Sequence, residues 1–136
     1  MSESRASCLC GGVKIRAVLQ PNTASHCHCS MCRKQHGAAF GSYINVKVDD
    51  LVYEQGEDLV QMYRSSDIAS RAFCRVCGST LLFIDHERPG IVGLALGILD
   101  DEPDTRPVEH IFYADRPSWS GPYDDGLPKY DGDTGL

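Results

Sequence analysis

Apolar and polar side chains alternate in short runs along this chain, the period-2 pattern of half-buried strands. The clearest run is Val13, Ile15 and Ala17 interleaved with Lys14 and Arg16, which Pro21 and Asn22 break. Residues 38–48 carry the strand formers Phe40, Tyr43, Ile44, Val46 and Val48. Asp49 and Asp50 predict a turn after them, followed by short strands at Val52 and Tyr53 and over residues 59–64, around Gly56. Residues 71–74 predict a strand running into a tight Cys74–Cys77 turn, with Gly78 at its exit and residues 80–84 as the hairpin partner. Residues 91–99 are apolar and interrupted by Gly93 and Gly97, a buried strand closely approached by other backbone. Residues 109–113 predict a last strand. One short helix is expected, over Ser30–His36, with Ser30 as its N-cap and Gly37 ending it. Beyond Ala114 the chain is rich in Pro, Gly and Asp but holds Trp119, Tyr123 and Tyr130, so an ordered, irregular wrap that buries these rings is expected. The expected class is all-β with little helix, as one domain over residues 1–136.

Composition changes this picture little. At 136 residues, 42% hydrophobic and 24% charged, the chain is long enough to bury a real core. Charge changes it more. Residues 99–136 carry ten acidic and three basic side chains, net −7 of the total −6, leaving the first 98 residues at +1. Such an acidic surface argues against nucleic-acid binding, which needs cations for the phosphates. No apolar run approaches the roughly 20 residues of a membrane span. Residues 1–7 are polar and lack the apolar core of a secretory signal, so a cytoplasmic location is expected.

The seven cysteines alter the picture most. An odd number cannot pair completely, and persistent disulfides are rare in the cytosol. Clustering points to metal instead. The thiols divide as four plus three. Cys8, Cys10, Cys74 and Cys77 can close a tetrahedral four-thiolate zinc site, which is structural because no position stays open. Cys27, Cys29 and Cys32 supply three ligands and leave one position exchangeable, the arrangement of a catalytic zinc. Two alternatives stay open. Cys74 and Cys77 could instead join the second cluster. A histidine could also close that cluster into a structural site: His36, one helical turn after Cys32, is the best placed, and His28 in extended backbone points to the opposite face. His86 and His110 have no motif around them.

Three segments together, Cys8-x-Cys10-Gly-Gly-Val, Cys27-x-Cys29-x-x-Cys32-Arg-Lys and Phe73-Cys74-x-x-Cys77-Gly-Ser, resemble the glutathione-dependent formaldehyde-activating enzyme family, also called the centromere-protein-V-like domain. The later Arg116-Pro117-Ser118-Trp119 resembles its C-terminal signature, with one extra serine. The resemblance implies a β-tent fold with zinc-clamped loops. It implies Zn2+ at two sites, structural at Cys8, Cys10, Cys74 and Cys77 and catalytic at Cys27, Cys29 and Cys32, the second open to partial occupancy. The implied activity is carbon–sulfur lyase chemistry, in which glutathione and formaldehyde condense to S-hydroxymethylglutathione. A small-molecule thiol such as glutathione is then the partner, and Arg33 and Lys34, beside the cluster, are the expected cations for its carboxylates. The competing expectation is a non-catalytic zinc-binding module with both metals structural. A redox- or metal-sensing role for exposed thiolates is a third.

Overall fold

The computed structural model describes residues 3–134. Its nine strands join one sheet: β1 (Glu3–Ser7), β2 (Lys14–Leu19), β3 (Ser25–Cys27), β4 (Gly41–Gln55), β5 (Val60–Arg64), β6 (Ala69–Cys74), β7 (Thr80–Asp85), β8 (Ile91–Ala95) and β9 (Glu109–Ile111). The main path runs β1-β2-β4-β8-β7-β6-β5, antiparallel throughout, and β3 bridges β4 to a parallel β9. The single α-helix among the described residues is α1, Ser30–His36. The all-β expectation holds.

Alternation in the sequence becomes alternation in burial. Along β2, Ile15, Ala17 and Leu19 face the core while Lys14, Arg16 and Val18 are more exposed. Ile15, Ile44, Leu81 and Leu94 are fully buried in the main cluster, each stabilising by about 1.5–3 kcal/mol. β6 is buried at five of its six positions, because β5 and β7 flank it and both its faces are covered. Arg71 is among the five, and it is the one charged side chain in that strand.

The structure corrects several boundaries. Asp49 and Asp50 make no turn: β4 runs on for fifteen residues and includes Val52 and Tyr53. Opposite β2 its register jumps, with Ala17 facing Leu51 but Leu19 facing Val46, so the extra residues of β4 bulge outward with both aspartates in them. β1, unmarked by any clear sequence pattern, forms on the edge because Ala6 pairs with Ile15 and both bury. Leu96–Ile98 turns into a 3-10 segment after β8 instead of continuing it. Cys29, not Ser30, caps α1, its sulfur accepting from the Cys32 N–H at 3.3 Å. The C-terminal wrap is ordered against β9 through backbone bonds from His110 to Pro128 and from Tyr113 to Tyr130. Its rings fare unequally: Tyr123 packs inward, whereas Trp119 and Tyr130 are exposed, at 70% and 43%, because the wrap is held by backbone hydrogen bonds rather than by those rings.

One glycine locks the first cysteine loop against the sheet. Gly56 sits at φ +76, and a Cβ there would lie 2.0 Å from the Gly12 carbonyl oxygen. Gly56→Ala is therefore expected to cost about 3 kcal/mol through strain and backbone displacement. Urea denaturation reads this as a lowered midpoint; an unchanged midpoint would mean that the turn does not seat on Gly12.

Candidate metal centres and the cavity beside them

The first centre joins two loops far apart in sequence. Cys8 and Cys10 follow β1, and Cys74 and Cys77 span the β6–β7 turn. Their four sulfurs lie within 4.8 Å of one another, with Cys8 and Cys10 at 3.5 Å and Cys10 and Cys74 at 3.9 Å. A tetrahedron with sulfurs about 2.3 Å from a central ion has edges of about 3.8 Å, so the spacing suits one metal. The surroundings fix the sulfurs. The Val13 N–H donates to Cys8 at 3.2 Å. The Ser79 hydroxyl lies 3.2 Å from Cys77 and accepts from the Leu9 N–H at 2.9 Å, tying the two loops together. Hydrogen bonds from the Ser79 side chain and backbone pull the Cys77 thiol down to about 5, ready to serve as a thiolate. Gly78 takes the left-handed conformation, φ +79, that the turn needs.

The second centre is built at one end of the sheet. β3 is held on both sides, by β4 and β9, and ends at Cys27. Cys29 then caps α1, and Cys32 lies in its first turn. The three sulfurs lie within 4.8 Å of one another. The grouping with Cys74 and Cys77 does not occur, since those thiols sit with Cys8 and Cys10. Among the described residues no histidine joins the second cluster. His36 instead places Nε2 2.7 Å from the Tyr43 hydroxyl. His26 binds Ser42, and His28 points to the far side of its strand, as its alternate position predicts.

The donor set fits a cation. Hydrogen bonds from Cys27 and Cys32 pull the Cys29 thiol down to about 2, with Arg71 adding to the effect. The same proximity pushes Cys27 far up, first through its bond to Cys29. Three sulfurs this close share one negative charge readily and a second only with a cation between them. A divalent ion is the kind of cation that three such sulfurs could hold.

The second cluster opens into a cavity of ≈ 400 Å³ whose wall includes all three cysteines, Tyr43, Arg71 and Phe83. Arg71 was legible in the sequence only as a strand residue. It is 3% exposed, with Nη1 and Nη2 each 3.6 Å from the Cys32 sulfur, Nη1 donating to Tyr43 at 3.3 Å and Nε to Ser65 at 3.3 Å. Its guanidinium lies 5.0 Å from the Phe83 ring centre. Arg33 and Lys34 lie elsewhere on α1. Arg33 donates to the Asp115 carbonyl at 3.4 Å, Asp115 lies in the cavity wall, and Lys34 is exposed. Neither lines the cavity itself.

Behind the loop of Cys27, Cys29 and Cys32 two buried histidines lead to a more exposed aspartate, a relay that the sequence concealed because its members come from three distant segments. His28 Nε2 lies 2.7 Å from His110 Nδ1, and His110 Nε2 lies 2.6 Å from Asp125 Oδ2. His110 is 1% exposed and His28 fully buried, so His110, which has no motif around it, is a core residue bonded to the cysteine loop through His28. Lys129 holds the other oxygen of Asp125 at 2.9 Å. Hydrogen bonds from His110 and Lys129 hold the Asp125 carboxyl well below the usual carboxylate range. Burial, with the neighbouring His110, lowers both His26 and His28 to about 4. A histidine held neutral takes its proton only when the chain opens, so the unfolded state binds more protons as the pH falls from 6.5 to about 4. The contribution of His26 and His28 to the unfolding free energy is expected to be constant above about pH 7 and to drop through that window. His26→Gln should remove part of the slope in urea titrations; an identical slope would contradict the neutral state of His26.

Residues 3–115 match the profile of the glutathione-dependent formaldehyde-activating enzyme family. The chain belongs to this family. All seven cysteines fall within the matched span. Within the family's relatives, a Halomonas elongata protein named "Putative glutathione-dependent formaldehyde-activating enzyme" is 33% identical over 123 residues, covering 83% of this chain and 76% of that protein. An uncharacterized lyase of Schizosaccharomyces pombe is 31% identical over 83 residues, 61% of this chain. The aligned part spans 58% of the yeast protein's length. A crystal structure of a Rhodobacter sphaeroides protein shares the fold, with a TM-score of 0.64 at 23% identity over 93% of this chain and 98% of that one.

Proposed function

We propose that this protein is a zinc-dependent carbon–sulfur lyase acting on a thiol–carbonyl adduct of the S-hydroxymethylglutathione kind. The observation that carries the reading is the second cluster. Three thiols converge there without a fourth protein ligand among the described residues, and they face a cavity of ≈ 400 Å³. Cys8, Cys10, Cys74 and Cys77 would hold a structural zinc, and Cys27, Cys29 and Cys32 a second one. The second zinc, when bound, supplies thiol deprotonation and a fixed place for the substrate sulfur.

In the condensing direction the substrate sulfur bonds to the carbonyl carbon. The carbonyl π pair moves to oxygen, and the proton lost by the thiol ends there, giving RS–CH2–OH. Cleavage reverses each change. The chain's own residues position and shield this exchange. Phe83, whose ring centre lies 5.0 Å from the Arg71 guanidinium, forms an apolar part of the cavity wall. A thiol as long as glutathione extends from the cluster toward the cavity edge near Asp115. Arg33, which bonds the Asp115 carbonyl at that edge, would meet one of its carboxylates from outside the cavity, with Lys34 next to it on α1.

Two-dimensional exchange NMR on equilibrated glutathione and formaldehyde tests the reading, against a control without protein because the reaction is spontaneous. The metal-loaded protein should accelerate exchange between free and hydroxymethylated thiol. No acceleration would remove the glutathione–formaldehyde assignment. Arg33→Glu with Lys34→Glu should raise the glutathione concentration for half-maximal exchange about tenfold while leaving the maximal rate near the original; an unchanged half-maximal concentration would remove those two residues from binding.

A further inference from the structure

We propose that Tyr43 is the catalytic group that binds the carbonyl oxygen, with Arg71 and His36 as positioning residues that aim its hydroxyl. The assignment rests on the lyase reading above. An adduct of sulfur and carbonyl places its oxygen next to its sulfur, one carbon away. A donor for that oxygen must therefore stand beside the position that holds the sulfur. Tyr43 stands there. It is in the cavity wall and packs with Cys27 and Cys32 in one cluster.

Its hydroxyl is gripped from two sides. Arg71 Nη1 lies 3.3 Å away and His36 Nε2 2.7 Å away. Arginine only donates, so the phenol oxygen accepts from Arg71. We assign His36 the Nε2–H tautomer, donating to the same oxygen 2.7 Å away; both lone pairs are then occupied, and the hydroxyl proton is left for a ligand in the cavity. His36 is seated firmly, since a Cβ on Gly41 would come within 2.5 Å of its Nε2. The Tyr43 ring lies 5.9 Å from Phe83, centre to centre, and above Gly93, where a Cβ would already touch it at 3.4 Å.

Arg71 links the sulfur and oxygen positions. The nitrogen that reaches Tyr43 also reaches the Cys32 sulfur. Among the described residues no carboxylate pairs with this buried guanidinium. Its countercharge is the thiolate cluster, and during reaction the oxygen on which negative charge develops. As the carbon–sulfur bond forms and the π pair moves to oxygen, the Tyr43 O–H stabilises that oxygen by a hydrogen bond already oriented before the reaction. The proton that completes the hydroxyl is the one the thiol released, returned through water, so no net proton is gained or lost.

Tyr43→Phe in the metal-loaded protein tests this. Removing one oriented donor lowers rates by roughly 100-fold or more in comparable sites. The maximal exchange rate in the NMR assay is expected to fall about 100-fold. Metal content should stay at the unsubstituted value, and thiol affinity, titrated calorimetrically without carbonyl, should stay within about twofold. His36→Gln keeps the ring and the hydroxyl but loosens the aim, and should lose about tenfold in rate with the same thiol affinity. It carries the test if the phenylalanine variant does not fold. An unsubstituted exchange rate in Tyr43→Phe, or loss of the second metal along with the rate, overturns the assignment and leaves the lyase reading standing. Absence of exchange in the unsubstituted protein removes that reading and this assignment together.

Discussion

Cys29→Ser is expected to abolish accelerated exchange, a loss of more than about 100-fold, while the protein stays folded and keeps one metal. The two parts of this expectation separate chemistry from folding. Cys29 caps α1 through its sulfur, and serine is a strong N-cap in its own right. The helix start is therefore retained, and the variant removes a thiolate only. Two remaining thiols are too few to hold a divalent ion against water. Elemental analysis should find the metal content falling from two per chain to one, with a cooperative thermal transition retained at a somewhat lower temperature. Cys32 would make a poorer probe. It is buried at 3% exposure against the Arg71 guanidinium, so its loss strands a buried cation and confuses stability with catalysis.

Cys74→Ser is expected to do the opposite and remove the fold. Cys74 is fully buried in the main core, at the end of β6, and its sulfur faces Cys10 at 3.9 Å. The first centre ties the loop after β1 to the β6–β7 turn, which lie at opposite ends of the sheet order. Metal binding to such a site is folding free energy, and for small structural zinc sites the apparent value is about 10–16 kcal/mol. Losing most of it is comparable with the whole of the roughly 5–15 kcal/mol by which domains are stable. Circular dichroism should show no cooperative thermal transition near that of the unsubstituted protein, and both metals should be lost together. A folded Cys74→Ser protein that keeps its second metal would show that the first centre is dispensable.

The two cysteine clusters were legible in the sequence because thiols able to share one ion come with fixed spacing. The strands with strict alternation, such as β2, were legible for a similar reason: one face must bury. What the sequence concealed was set by pairing at long range. Asp49 and Asp50 carry turn propensity, yet β2 and β8 grip β4 along most of its length and the aspartates leave as a bulge. Ser30 is the better cap by type, but the loop places Cys29 one residue earlier in the capping position. Arg71 reads as an ordinary polar position in a strand; only the packing of β6 between two strands, under the second cluster, turns it into a buried cation facing thiols. Likewise, His28, His110 and Asp125 share no motif, and their relay exists because β9 lies parallel to β3 and the C-terminal wrap follows it. Tyr43 was marked as a strand former and is that, but its hydroxyl is placed by α1 and β6 together.

The central claim is that one centre is closed and the other open to a thiol. Cadmium-113 NMR of the fully substituted protein observes each centre separately. The account predicts two resonances, one at the position of an all-sulfur site and one displaced toward mixed ligation, and predicts that added glutathione shifts only the second toward the all-sulfur position. A single resonance, or two resonances that both ignore glutathione, would contradict it.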